Sequence, residues 1–269
     1  MKTLKKGSKE KNDVVQLQKL LNKYGYNLVE DGDFGLKTEN AVKAFQKSKG
    51  LMPVDGIVGP KTWEALGVKE ETKSVDPDVL FLPISKHITK SPNRPIKYLA
   101  IHYTASKSSY GGCVKAVRNV FQNGEASADF AVDDEYMAQY NPDIKNYYCW
   151  AVGGSKKAGA TLHGIATNKN TISIEICSSL RDGYDRRVAN HDGWYFTEKV
   201  LDNAVKLAKI LMKKYNIPVE RVIRHYCVTG KPCPGVKGWN LAPLYDKNGK
   251  RTGKTNDESE WIKFKERLK

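Results

Sequence analysis

Twelve residues near the N-terminus of this chain occur twice, and the repeat leaves few ways to fold. DGDFGLKTENAV (31–42) and DGIVGPKTWEAL (55–66) share Asp-Gly, a glycine three residues on, and Lys-Thr, at an offset of 24 residues. Asp-Gly closely followed by another glycine marks a tight turn that uses positive φ. The threonine is the expected N-cap of the helix that follows, ENAVKAFQKSKG in the first copy and WEAL in the second. Val14, Val15, Leu17, Leu20 and Leu21, then Ala41, Val42, Ala44 and Phe45, recur at helical spacing. Residues 4–67 therefore read as a three-helix unit with two turn-to-helix connections. Periodicity alone is met equally well by a small helical bundle without a ligand.

The pattern changes after residue 67. VKEETKSVDPDV (68–79) is charged, interrupted by proline and without apolar periodicity, and is the expected linker. Strand-like apolar runs follow at IKYLAIHYT (96–104), SADFAVD (127–133), TISIEICS (171–178) and RVIRHY (221–226). Helical patterns stand at CVKAVRNVFQN, at EKVLDNAVKLAKILMKKYN and at the closing ESEWIKFKERLK. The expected fold is α/β, a central mixed β-sheet flanked by helices over residues 80–269, preceded by a small all-α three-helix domain over 1–67.

Composition narrows the partners. A net charge of +15 favours an acidic surface, which nucleic acid, anionic membrane and anionic cell wall all offer. The lysines are spread along the chain, without the Arg-rich stripe and interleaved aromatics that would stack bases, so no nucleic-acid partner is expected. No run of about 18 apolar residues exists, so no membrane span is expected. MKTLKKGSKEKNDVVQLQ lacks an apolar h-region and a cleavage site, which points to synthesis in the cytoplasm without a signal peptide. Five cysteines (113, 149, 177, 227, 233) are too few and too odd in number for a disulfide framework, and free thiols are the default. The pattern leaves the oligomeric state open.

Chemistry concentrates in HYCVTGKPCPG (225–235). Only five histidines occur, and two of them, His102 and His225, lie at the ends of expected strands, where loops can build a site on a rigid floor. With Cys233 they make two imidazoles and a thiolate, the donors zinc prefers, and three protein ligands leave a fourth position open for catalysis. Cys227, two residues from His225 along an expected strand, is on the same face and is the alternative thiolate. The constrained Lys-Pro-Cys-Pro-Gly turn, able to fold back over the strand end, favours Cys233.

Two family resemblances rest on these residues. The stretch from LKKGSKEKNDVVQLQ to DGIVGPKTWEAL, with LQ, GY, DGxFGxxT, AVxxFQ and DGIVGPxTW, resembles the peptidoglycan-binding type 1 domain over nearly its full length. That resemblance implies a wall-anchoring module with bacterial peptidoglycan as its partner. IHYTAS, ISIE and RHYCVTGKPCPG resemble the type 2 N-acetylmuramoyl-L-alanine amidases, on the fold shared with peptidoglycan recognition proteins, over roughly residues 80–240. The resemblance implies zinc held by His102, His225 and Cys233, with Glu175 and Lys231 as catalytic residues. It also makes an endolysin or autolysin, acting at the wall after release, the expected setting.

Departures fall on the substrate-facing walls. Where many relatives carry a histidine in a strand, this chain has Asp129, and where some carry a tyrosine one residue earlier it has Ala128. The Trp-His-x-Gly wall reads YCWAVGG here, without the histidine. His163, in TLHGIATNKN, is the candidate to replace it in the cleft, a solvated loop histidine being the alternative. Trp150, His163 and Asn168 are the candidate substrate-binding residues. A recognition protein without catalysis is the competing expectation; it would lack the cysteine or aspartate at position 233.

Overall fold

The computed structural model describes residues 3–68, 74–106 and 111–269, the side chain of Pro60 apart. It divides into two compact units, Met1–Thr72 and Lys73–Lys269. Within the 68–79 segment, residues 69–73 lie outside the described residues, and residues 74–79 belong to the second unit.

The first unit holds α1 (Lys11–Lys23), α2 (Leu36–Ser48) and α3 (Pro60–Ala65). Val14, Leu17 and Leu21, spaced to share one helix face, bury against Phe34, Val42, Phe45 and Trp63. The repeat is a polar device as well as an apolar one. In the first copy the buried Gln18 accepts from the Gly32 amide (3.0 Å) and donates to Asp31 Oδ1 (2.9 Å) and the Asp33 carbonyl (3.1 Å). In the second, Gln46 accepts from the Gly56 amide (2.9 Å) and donates to Asp55 Oδ1 (3.1 Å) and the Ile57 carbonyl (2.9 Å). Gly32 and Gly56 both sit at φ +75, so each turn does use the left-handed region.

The threonines differ from expectation. Gly35 and Gly59 are the N-caps, and Thr38 and Thr62 are the third residues of their helices. Their hydroxyls face inward, donating to the carbonyls of Asp33 and Ile57 and meeting the glutamine amides at 3.3 Å in both copies. A hydroxyl spent on the buried glutamine is not available to cap.

The second unit is built on six strands: β1 (Val79–Phe81), β2 (Tyr98–Tyr103), β3 (Phe130–Val132), β4 (Met137–Gln139), β5 (Thr171–Ile176) and β6 (Val222–Arg224). Their order across the sheet is β1-β4-β3-β5-β2-β6, and every neighbouring pair is parallel except β3 with β4. Strands β1 and β4 were not among the expected runs.

One sheet face packs on α5 (Glu198–Tyr215), where Val200, Ala204, Leu207, Ala208 and Leu211 meet Leu99, Ile101, Ile172, Ile174 and Ile176. Thr197 caps this helix by accepting from the Val200 amide at 3.2 Å. On the other face, Val114 and Val117 of α4 (Cys113–Asn123) pack with Ala131, Ala138 and Cys177. Because strand side chains alternate, Leu99 and Ile101 face α5 while Ala100 and His102 point the opposite way. The same parity on β5 puts Ile172, Ile174 and Ile176 toward α5 and Glu175 away from it. His102 and Glu175 are direct register partners on adjacent parallel strands, near their C-terminal ends, where open α/β sheets place ligands.

Candidate metal centre

His225 does not extend its strand. Arg224 is extended, and His225 opens the one-turn helix α6 (His225–Thr229), which Gly230 closes in the left-handed region. The turn carries the chain around so that the Tyr226 amide donates to the Cys233 carbonyl at 3.0 Å. Cys227 is therefore two residues along a helix, not a strand, and points elsewhere; its sulfur lies 3.6 Å from Arg224 Nη2. His102, His225 and Cys233 come together instead, all buried, with one donor atom from each lying within 4.8 Å of the others. Cys233 Sγ is 3.7 Å from His102 Nδ1, and the imidazole centroids are 4.7 Å apart.

Burial sets the protonation of the group. It holds His102 well below the usual imidazole range, helped by the nearby His225 and Lys231 charges. His225 is pushed down to about 4 by burial and by Lys231. Burial, reinforced by the Glu175 charge, pushes the Cys233 thiol up to about 12, against a hydrogen bond from the Tyr103 amide. Glu175, with Oε1 3.9 Å from His102 Nδ1, is raised to about 8 by burial, with Lys231 pulling the other way. The Lys231 side chain is exposed, yet its ammonium bears on all four groups.

The residues fit a metal. His102 Nε2, His225 Nε2 and Glu175 Oε2 are buried without a hydrogen-bond partner among the described residues. Leaving such atoms unpaired costs about 1–3 kcal/mol each, so a cluster of them calls for a further partner. Two neutral imidazoles and a cysteine sulfur that gives up its proton on binding are the donor set of a three-ligand zinc site. The Gly153 backbone lies near enough to the His225 ring to favour its charged form, against the stronger effects of burial and Lys231. Gly153 and the Tyr103 amide were missed by sequence reading, because both act through the backbone and have no residue signature.

The remaining candidates do not join this group. Asn168 Oδ1 accepts from the amides of Ala151 (3.0 Å) and Val152 (2.7 Å), so it shapes the segment that carries Gly153. Trp150 is half exposed, with Nε1 donating to Thr89 Oγ1 at 2.9 Å and its ring edge-on to His87. His163 is exposed, with Nδ1 3.2 Å from the Val228 carbonyl of α6.

Asp129, the departure noted in the wall, faces no cleft. It is buried and pairs with Arg94 Nη2 at 3.3 Å. It also accepts from Asn141 (2.6 Å) and from both the amide and hydroxyl of Ser173 (2.8 and 2.9 Å). Arg94 in turn donates to the carbonyls of Ile144, Asn168 and Thr171. Asp129→Ala should cost about 3–5 kcal/mol, because it strands a buried guanidinium. A urea titration followed by circular dichroism checks this; a midpoint equal to the parent's would show the pair to be dispensable.

Comparison with known proteins places the chain. The N-acetylmuramoyl-L-alanine amidase family model matches residues 92–236, more than half of it, and the peptidoglycan binding domain model matches residues 10–66. N-acetylmuramoyl-L-alanine amidase CwlH of Bacillus subtilis is 32% identical over 158 residues, covering 57% of this chain and 53% of the relative. CwlA of the same organism is 31% identical over 153 residues, covering 56% and 47%. The chain thus spans about half the length of the curated relatives it matches. Among solved structures, a mutant endolysin from Bacillus subtilis is 23% identical with a TM-score of 0.48, covering 71% of this chain and 98% of that one. With a peptidoglycan binding domain at its N-terminal end, this chain belongs to the N-acetylmuramoyl-L-alanine amidase family.

Proposed function

We propose that the chain is a zinc-dependent peptidoglycan hydrolase that cuts the amide between the lactyl group of N-acetylmuramic acid and L-alanine. The supporting observation is the buried group of two imidazoles and one thiol, with the Glu175 carboxyl beside His102. In this reading His102, His225 and Cys233 hold zinc. When bound, zinc would supply Lewis-acid polarisation of the scissile carbonyl and acidification of water to a pKa of about 7.

The chain's own groups do the rest. Glu175 takes the proton of the attacking water on its carboxylate and returns it to the leaving amine of L-alanine. Lys231, exposed but close enough to bias every titrating group of the site, offsets the negative charge that develops on the carbonyl oxygen. Trp150, His163 and Asn168 form or support the walls that receive the glycopeptide. The first unit, matched by the peptidoglycan binding domain model, would keep the second on its polymeric substrate, since linking two weak sites raises avidity without new contacts. The net charge of +15 suits an anionic wall. Action at the wall, as an endolysin or autolysin, is the setting we favour.

Purified protein incubated with bacterial cell walls should release free amino groups of L-alanine and no new reducing sugar ends. Chelation should stop the release, and added zinc should restore it. New reducing ends would move the cut to the glycan and overturn the bond assignment.

A further inference from the structure

The loop that carries Cys233 is held by its backbone. Four consecutive carbonyls are captured: Cys233 by the Tyr226 amide (3.0 Å), Pro234 by Asn240 Nδ2 (2.7 Å), Gly235 by the Asn190 amide (2.7 Å) and Val236 by Asn256 Nδ2 (3.0 Å). Three of these four donors belong to asparagines, and the three side chains are fully or almost fully buried, at 0%, 0% and 3% exposed. Asn190 and Asn240 exchange amide hydrogen bonds at 2.8 and 2.7 Å, and Asn256 Nδ2 reaches Asn190 Oδ1 at 3.4 Å. The cluster is anchored in turn: Asn240 Oδ1 accepts from the Ala242 amide (2.9 Å) and Asn256 Oδ1 from the Gly238 amide (2.8 Å).

From this geometry we infer that Asn190, Asn240 and Asn256 are positioning residues for the Cys233 sulfur. The inference rests on reading Cys233 as a metal ligand. Asn240 and Asn256 lie beyond residue 236, where the amidase family match ends, so this chain's C-terminal segment supplies most of the clamp. The loop has no slack on its other side: a Cβ on Gly235 would come within 2.4 Å of Tyr103 Oη and 2.7 Å of Ala189 Cβ. Strand β2, which presents His102, thus presses on the loop from one side while the asparagines pull its carbonyls from the other. At Asn240 and Asn256 a primary amide suits the task because it donates to the loop and accepts from a neighbour at once. Asn190 donates through its backbone N–H and braces Asn240 with its side chain. Groups that orient a ligand in this way typically set metal affinity by about 10- to 100-fold.

The test measures zinc affinity of the full chain by competition with a chromogenic chelator. The cobalt-loaded protein adds a thiolate-to-metal charge-transfer band that reports the sulfur directly. Asn240→Ala removes the donor to Pro234, Asn240→Asp removes it while keeping the shape, and Leu211→Ala destabilises the α5 face without touching the loop. Both Asn240 variants should bind zinc about 10- to 100-fold more weakly with a diminished charge-transfer band, at temperatures where circular dichroism shows them folded. Leu211→Ala should melt earlier yet keep parental affinity and band. If Asn240→Ala does not fold, Asn240→Asp decides. Asn240→Asp with parental affinity and band, or an equal loss in Leu211→Ala, overturns the inference while leaving the metal centre standing. A parent that takes up no zinc overturns both.

Discussion

Cys233→Ser should leave a folded protein that loses tight zinc binding and amidase turnover together. His225→Ala should do the same, since each removes one of the three proposed ligands that come together among the described residues. The expected fall in turnover is about 10³-fold or more, because a Lewis acid contributes several kcal/mol and each decade of rate takes about 1.4 kcal/mol. Zinc content after dialysis and release of L-alanine amino groups are the two readings. Cys227→Ser is the internal comparison: its sulfur sits against Arg224 and away from the imidazoles, so it should keep both metal and turnover. Loss of zinc in Cys227→Ser with retention in Cys233→Ser would exchange the roles of the two thiols.

Glu175→Gln should separate chemistry from metal binding. The amide keeps the shape of the side chain but cannot carry the proton, so turnover should fall by about 10²–10⁴ while zinc stays bound. The same substitution has a second signature in the metal-free protein. Glu175 is raised by burial from 4.5 to about 8. The folded chain then binds a proton that the unfolded chain has released, so this contribution to stability is full below pH 4.5 and is lost as pH rises through 8. His225, lowered from 6.5 to about 4, has the opposite sign: its contribution is present above pH 6.5 and is lost as pH falls through 4. Melting temperatures of the metal-free parent should therefore decline on both sides of a maximum, and Glu175→Gln should flatten the decline toward pH 8 alone. An unchanged alkaline decline in Glu175→Gln would place the titrating group elsewhere.

Much of this architecture is legible one residue at a time. The alternation of Leu99 and Ile101 with Ala100 and His102 is a strand period, and it already determines that His102 leaves the α5 face. The i, i+3, i+7 spacing of Val14, Leu17 and Leu21 likewise determines a buried helix face. Local patterns failed where a residue's role was taken by a distant partner. Thr38 and Thr62 have the composition of caps but spend their hydroxyls beside buried glutamines 20 and 16 residues away in the chain. Asp129 stands just before β3, at the place expected of a substrate-facing residue, and a buried arginine 35 residues earlier claims it.

The sequence by itself determined the two kinds of unit, the strands that carry His102 and Glu175, and the supply of two imidazoles and a thiol. Those are properties of periodicity and residue chemistry, which the chain carries without folding. Only the tertiary structure decided that α6 swings Cys227 away and returns Cys233 to His102, 131 residues distant. It also decided which backbone groups meet the group, the Tyr226 amide on the Cys233 carbonyl and the Pro234 carbonyl on Asn240. A carbonyl or amide is the same at every position in a sequence, and its partner exists only once the chain has closed on itself.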